Sequence, residues 1–243
     1  MRIRSVAIVV ASFLSMSIAA QTQPGKTASA QALSVAVPAA GADTLLNGGP
    51  AAWSQIAAKS VALNRTPPLF DTDEPAVLEI SKVEVRMARA GGKLLVQLSW
   101  RDPTRDTTTL PKAPESAPET RFLKVPTEAD DRFFDAVAVM FPAKPGPDAI
   151  APSLQMGDAE HPVEIYYWNA TRGSSMMHAQ GRSTTRRTNQ TFPANGSYQN
   201  GQWSVSMELP DLPPGAPVAF AVWNGAQKDR DGRKYFSVWQ MLE

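Results

Sequence analysis

The stretch VEVRMARAGGKLLVQLSW, residues 83–100, is the clearest indication of the fold. Apolar residues occupy every second position in each half, first at Val83, Val85 and Met87, and again from Leu94 to Trp100. Two glycines separate the halves, and such a pair between alternating runs is typical of a β-hairpin. The stretch therefore predicts two antiparallel strands that each bury one face.

The same alternation recurs further along the chain, without any sustained helical period. The runs are Ala136–Phe141, Val163–Trp168, Trp203–Leu209, Val218–Trp223 and Tyr235–Trp239. A short helix is predicted at Pro50–Ala58, with Trp53 and Ile56 facing inward. This pattern predicts an all-β fold, an antiparallel β-sandwich with few short helices and long loops.

Two segments lack the alternation. Residues 103–130 are rich in Pro, Thr and Glu, and residues 171–202 are polar and rich in Gly and Asn. Long irregular loops in a compact domain commonly cover a site or bind a partner. The 103–130 loop and Arg182–Arg187 are therefore expected at or near a partner surface, although a solvated loop also explains these arginines.

Composition excludes several classes of function. A net charge of +1, from 24 basic and 23 acidic residues, argues against nucleic-acid binding. The absence of cysteine excludes disulfides, thiolate-held iron–sulfur clusters and covalently attached c-type haem. His161 and His178 are the two histidines, too few for a multi-histidine metal site, and common hydrolase and nucleotide-binding motifs are absent.

The N-terminus has the pattern of a secretory signal. Arg2 and Arg4 precede an apolar run from Val6 to Ile18, which small residues follow. We expect residues 1–20 to be a cleaved signal peptide, residues 21–42 a flexible linker and residues 43–243 one domain. An N-terminal anchor helix is the alternative. The mature protein is expected to be soluble and periplasmic, since no later segment could span a membrane.

Four blocks of sequence together carry a specific resemblance. They are VEVRMARAGGKLLVQLSWRDP (Val83–Pro103), DRFFDAVAVMFP (Asp131–Pro142), PSLQMGDAEHPVEIYYWNA (Pro152–Ala170) and VAFAVWNGAQKDRDGRKYFSVWQMLE (Val218–Glu243). In their order and composition they resemble the haem b (γ) subunits of type II dimethyl-sulfoxide-reductase-family enzymes. That family includes ethylbenzene dehydrogenase, dimethylsulfide dehydrogenase, selenate reductase and chlorate reductase.

The resemblance implies a β-sandwich that holds one non-covalent haem b between a methionine and a lysine. The methionine of the M-G-D block is Met156, and the lysine of the C-terminal block is Lys234. Met140 and Lys228 are the rival ligands. Met156 precedes the strand Val163–Trp168 and Lys234 opens the last strand, so both are expected to reach into a mouth between the sheets.

Lysine coordinates iron as the neutral amine, so its surroundings must disfavour the proton. Leu154, Trp223 and Trp239 are expected to exclude water around the two ligands. His178 with Met176 or Met177 is a local alternative. Neighbouring residues in one chain segment, however, cannot both bind one iron from opposite sides.

The resemblance implies a non-catalytic subunit that carries electrons. Its partners would be the iron–sulfur and molybdenum-cofactor subunits of an oxidoreductase complex, with a soluble cytochrome c as external carrier. The alternatives are a secreted carbohydrate-binding β-sandwich without haem, whose Trp and Tyr rings would stack on sugars, and a scaffold without ligand.

Overall fold

The computed structural model describes residues 32–67, 79–107, 133–146 and 150–243, which form two facing β-sheets. Sheet I contains β1 (Ala32–Leu33), β4 (Asn64–Arg65), β7 (Ala136–Pro142), β8 (Val163–Asn169), β9 (Gly173–Ala179), β10 (Arg186–Arg187), β13 (Pro217–Trp223), β14 (Tyr235–Phe236) and β15 (Gln240–Leu242). Its order is β1-β15-β13-β7-β8-β9-β10, and β14 pairs with β13 and β4.

Sheet II contains β2 (Val35–Ala36), β3 (Lys59–Ala62), β5 (Lys82–Ala90), β6 (Lys93–Arg101), β11 (Ala194–Gln199) and β12 (Gln202–Leu209). Its order is β11-β12-β6-β5-β2, and β3 also pairs with β5. Apart from the short parallel pairs β1–β15 and β2–β5, the strand pairs of the described residues are antiparallel. The predicted all-β sandwich is confirmed.

The main core lies between the sheets. In β7, Val137, Val139 and Phe141 belong to this core, together with Val85 of β5 and Leu98 of β6. The hairpin β5–β6 turns at Gly91 and Gly92, whose φ angles of 59° and 75° are positive, as a two-residue hairpin turn requires. Residues 83–100 therefore form the central hairpin of sheet II.

Two short helices cover the outer face of sheet II. These are α1 (Ala42–Asn47) and α2 (Gly49–Ala52). Trp53 and Ile56 are buried against this face, as predicted, although α2 ends before either of them. The Trp53 indole N–H donates to the Leu45 carbonyl at 2.7 Å. Among the described residues, no helix has the length and apolar character needed to cross a membrane.

The structure differs from the sequence prediction in the polar region 171–202, which contains β9, β10 and β11. β9 pairs with β8 across seven residues, and β11 forms a hairpin with β12. The turn of that hairpin is Asn200-Gly201, with φ angles of 51° and 73°. Asn-Gly is a strong hairpin signal, so this loop prediction is wrong.

Two strand ends also differ from the prediction. The run Tyr235–Trp239 is divided, because β14 ends at Phe236 and β15 begins at Gln240. Between them, Ser237 exchanges hydrogen bonds with the Phe220 backbone.

Within the predicted linker, residues 32–36 form β1 and β2, because Leu33 is an apolar core residue. Residues 1–31 and 108–132 of the predicted signal, linker and loop lie outside the described residues.

Candidate functional site

A cavity of about 660 Å³ lies on the outer face of sheet I, away from the sandwich core. A smaller cavity, which shares Met156, Trp223 and Lys234 with the large one, reaches down to the sheet. The floor of this smaller cavity includes Ala138 of β7 and Ala219 and Ala221 of β13. Because alanine side chains are short, this part of the floor is flat and lets a planar ligand approach the strands closely.

Aromatic and aliphatic side chains form the walls. Tyr167 of β8 meets Trp223 edge to face, with ring centroids 5.3 Å apart. Leu154 and Ile165 also line both cavities. Trp239 packs against the apolar cluster that contains Ile165 and Trp223. Its indole N–H donates to the Pro152 carbonyl at 2.8 Å. The indole of Trp239 therefore anchors the loop that brings Leu154 and Met156 over the floor.

Met156 lies in a tight turn that aims it at the cavity. Its φ of 76° is in the left-handed region, which non-glycine residues rarely adopt. Gly157 follows with φ of 72°, and a Cβ there would lie 2.6 Å from the His161 carbonyl oxygen. The Asp158 carboxylate accepts hydrogen bonds from the Glu160 and His161 backbone N–H groups. Each residue of the M-G-D block thus has a part in shaping this turn.

Lys234 approaches the cavity from the opposite segment of chain. It directly precedes β14, and its carbonyl accepts hydrogen bonds from the Thr66 backbone N–H at 2.9 Å and from the Thr66 hydroxyl at 2.8 Å. Its ammonium nitrogen lies 5.3 Å from the centre of the Trp223 ring. These hydrogen bonds fix the Lys234 carbonyl and so position the side chain at the cavity.

Met156 and Lys234 meet in the cavity. The Lys234 Nζ lies 3.7 Å from the Met156 Sδ, although the residues are 78 positions apart in sequence. Burial, together with the positive charge of Arg182, lowers the pKa of Lys234 to about 8, and the negative charge of Asp231 acts in the opposite direction. A neutral amine and a thioether each offer a free lone pair that can bind a haem iron.

Positive charge gathers at the rim. Arg182 and Arg187 are exposed and line the large cavity. The charge of Arg182 lowers the pKa of Lys234. Burial raises the pKa of Tyr167 to about 12, while the charge of Arg187 acts in the opposite direction. An anionic group at this rim would face both arginines. The cavity therefore suits a flat apolar ligand that carries carboxylates at one edge.

The rival ligands occupy different positions. Met140 lies on the cavity floor, on the face of β7 opposite Val137 and Val139. It therefore remains the rival thioether ligand. Lys228 is exposed and ends a 3₁₀ turn at Gly225–Gln227, away from the cavity lining. The His178 Nδ1 lies within hydrogen-bond distance of the Glu164 Oε1, at 2.9 Å. Met176 packs against the core between the sheets. Of this last group, Met177 lines the large cavity.

The location of the cavity corrects one expectation. The sequence predicts both ligands in a mouth between the sheets, but the cavity lies on the outer face of sheet I. The reason is the second face of β7 and β13, where Ala136, Ala138 and Ala221 alternate with the core valines. Small residues on an outward face were the missed signal, since they leave space that a covering loop can enclose.

Comparison with known proteins identifies the family. The family model described as ethylbenzene dehydrogenase matches residues 50–191, more than half of the chain. The chain belongs to this family, and the resemblance carried by the four sequence blocks is confirmed.

Three relatives are similar over most of the domain. Dimethylsulfide dehydrogenase subunit gamma of Rhodovulum sulfidophilum is 34% identical over 173 residues, 63% of this chain and 57% of the relative. Chlorate reductase subunit gamma of Ideonella dechloratans is 28% identical over 174 residues, 66% of this chain and 64% of the relative. A Haloferax mediterranei protein, whose name assigns it to the heme subunit of a respiratory nitrate reductase, is 29% identical over 201 residues, 77% of this chain and 64% of the relative. The chain thus spans less than two thirds of the length of each.

Among solved structures, a family 9 carbohydrate binding module from Caldicellulosiruptor kristjanssonii, in complex with glucose, aligns with a TM-score of 0.44. The alignment covers 88% of this chain and 96% of the module at 9% identity.

Proposed function

We propose that this chain binds one haem b non-covalently and carries single electrons for a molybdenum oxidoreductase complex. The observation that carries the proposal is the 3.7 Å approach of Lys234 to Met156 inside an apolar cavity. A volume of about 660 Å³ lies within the range of roughly 300–1,000 Å³ that cofactor sites occupy. Membership of a family whose relatives are named as heme or gamma subunits supports it.

The residues of the cavity fit this cofactor. The alanines of the floor leave room for a planar ring, and Trp223 and Tyr167 offer aromatic walls. Arg182 and Arg187 at the rim suit the two propionate groups that haem carries. Bound haem would supply an iron centre that changes between ferric and ferrous states, and a methionine ligand would raise the reduction potential of that couple.

The chain's own contribution is to set the state of the ligands. Burial among Leu154, Trp223 and Phe236 lowers the pKa of Lys234 to about 8, so the loss of the proton that ligation requires costs less than at an exposed lysine. The turn at Met156 holds the thioether over the floor. With Met156 and Lys234 both holding the group, substrate and oxygen would have no free position on the metal. The chain therefore serves electron transfer, and the chemistry of substrate belongs to another subunit.

The relatives support the proposed partners, and the N-terminal pattern supports the proposed compartment. We propose that the chain joins iron–sulfur and molybdenum-cofactor subunits, and that a soluble cytochrome c is the external carrier. Arg182 and Arg187 are exposed at the rim, where an edge of the ring would come nearest the surface. An acidic partner docked there would have a short path for electrons. Residues 1–20 would direct export to the periplasm.

Purification of the exported protein tests the proposal. A Soret band and a pyridine haemochrome of b type, with one haem per chain, are expected. Co-purification with iron–sulfur and molybdenum subunits, and reduction of added cytochrome c by the complex, would support the assigned partners. A colourless protein that does not take up added haemin would contradict the proposal, and glycan binding by such a protein would favour the carbohydrate-binding alternative.

A further inference from the structure

A second chemical feature lies away from the cavity lining, at the junction of the two sheets. Asp102, Asp106 and Asp135 each bring one carboxylate oxygen to within 4.8 Å of the other two, and we call them the aspartate cluster. Asp102 directly follows β6 in sheet II, and Asp135 directly precedes β7 in sheet I. Both are fully buried, while Asp106 is half-buried. The haem proposal uses none of them.

Hydrogen bonds hold Asp135 rigidly. Its Oδ1 accepts from the Gly225 backbone N–H at 3.0 Å. Its Oδ2 accepts from the Asp106 backbone N–H at 2.6 Å and from the Trp203 indole N–H at 2.9 Å. A Cβ at Gly225 would lie 2.4 Å from the Asp106 Cβ, so this position is closed to larger residues. The W-N-G block and the second sequence block thus converge on the aspartate cluster.

Among the described residues, Asp102 is the member of the aspartate cluster with one buried carboxylate oxygen that has no hydrogen-bond partner. Its Oδ1 accepts 3.2 Å hydrogen bonds from the backbone N–H and the hydroxyl of Thr104. Its Oδ2 is buried and has no hydrogen-bond partner within the described parts of the chain. Leaving a buried carboxylate oxygen unpaired is costly, and a group in that state needs a proton or a cation.

The three carboxylates of the cluster carry charges of the same sign. None of the salt bridges between described residues involves Asp102, Asp106 or Asp135. Burial raises the pKa of Asp102 to about 7, and the neighbouring charge of Asp135 contributes to this. Three carboxylates in one partly dry pocket repel one another, and a bound cation would remove that repulsion.

We propose that the aspartate cluster is a structural binding site for a divalent cation of the calcium type. Calcium prefers hard oxygen ligands at about 2.4 Å, so two ligand atoms on one ion are at most about 4.8 Å apart. The three carboxylates meet that limit, and the unpartnered Oδ2 of Asp102 supplies a free lone pair. Thr104, whose hydroxyl lies 2.7 Å from the Asp106 Oδ2, keeps the chain turned back toward the cluster.

Such an ion would tie the two sheets together at one end. It would join the end of β6 to the start of β7 and, through the hydrogen bond of Asp135 to Gly225, to the end of β13. Trp203 and Trp100 stack beside the cluster, with centroids 6.2 Å apart. The inference is independent of haem, because none of these residues lines the cavity.

Terbium luminescence tests the site directly, since Tb³⁺ replaces Ca²⁺ and is sensitised by a nearby indole. Trp203 is hydrogen-bonded to Asp135, so an ion in the cluster would lie close to this ring. The full-length protein as purified, treated with chelator, is titrated with terbium chloride under tryptophan excitation. We expect saturable emission that calcium chloride displaces. Calcium at roughly 100 times its Kd should also raise the Tm by about 5–10 °C.

Two substitutions and a matched control make the test specific. Asp106→Asn, at a half-buried position, should abolish the terbium signal and the calcium-dependent rise in Tm while the protein stays folded. Asp102→Asn should do the same. Asp211→Asn, at an exposed aspartate paired with Arg89, should keep both responses. No saturable terbium signal in the native protein, or a signal unchanged in Asp106→Asn, would overturn the proposal and favour a shared proton instead.

Discussion

Lys234→Met in the haem-free protein tests the electrostatics of the cavity. An ordinary lysine has a pKa of 10.5, and burial lowers that of Lys234 to about 8. That difference corresponds to about 3 kcal/mol of folding free energy spent on keeping this ammonium charged in the cavity. Methionine has a similar length and no charge, so the substitution removes the cost while it fills the same space.

The sign follows from the direction of the shift. Because the folded pKa is the lower one, the cost is fully present below about pH 8 and disappears as the pH rises towards about 10.5. Lys234→Met should therefore raise the free energy of unfolding by up to about 3 kcal/mol near pH 7, and this gain should shrink towards about pH 11. Packing of the added methionine contributes a part that does not change with pH.

Urea unfolding of both proteins between about pH 7 and pH 11 measures the effect. Lys228→Met is the control, because Lys228 is exposed and its substitution should leave the free energy of unfolding within about 0.5 kcal/mol at each pH. A gain in Lys234→Met that is equal at both ends of the range would refute the reasoning, since the charge would then play no part.

Three further outcomes are expected. Haem affinity should fall about tenfold per pH unit below about pH 8, because Lys234 must lose its proton before it can bind the iron. Haemin titrations that give the same Kd at every pH from about 6 to 8 would contradict this. In thermal unfolding, Gly157→Ala should destabilise the fold by more than Gly173→Ala. Both glycines have φ near 72°, but a Cβ at Gly157 would also clash with the His161 carbonyl oxygen. Equal losses of about 1–2 kcal/mol in the two variants would argue against a crowded turn. The intact mass of the exported protein should lack residues 1–19 or 1–20, and retention of Met1 would exclude a cleaved signal.

The strands that alternate apolar and polar residues could be predicted from the sequence, because burial of one face imposes a period of two. β5, β6, β7, β8, β12 and β13 all lie where that pattern predicts them. β9 and β11 could not be found in this way, since their cross-strand partners stabilise them rather than their own composition. The Asn200-Gly201 turn was the one local signal for β11.

The candidate site was predictable in part. Met156 and Lys234 were identified through the resemblance, and the structure brings their side chains into contact. The position of the cavity on the outer face of sheet I depends on alanines such as Ala138 and Ala221, which a hydrophobic pattern does not distinguish from core residues. The left-handed backbone of Met156 also has no sequence signal, because glycine or asparagine would be expected at such a φ.

The ligand assignment is the central claim, and the optical spectrum of four variants tests it most directly. Met156→Leu and Lys234→Ala should each lose the six-coordinate low-spin spectrum and bind carbon monoxide in the ferrous state. Met140→Leu, which changes the other thioether on the cavity floor, and Lys228→Ala should both keep the native spectrum. A native spectrum in Met156→Leu or Lys234→Ala, with a loss in Met140→Leu or Lys228→Ala, would contradict the assignment.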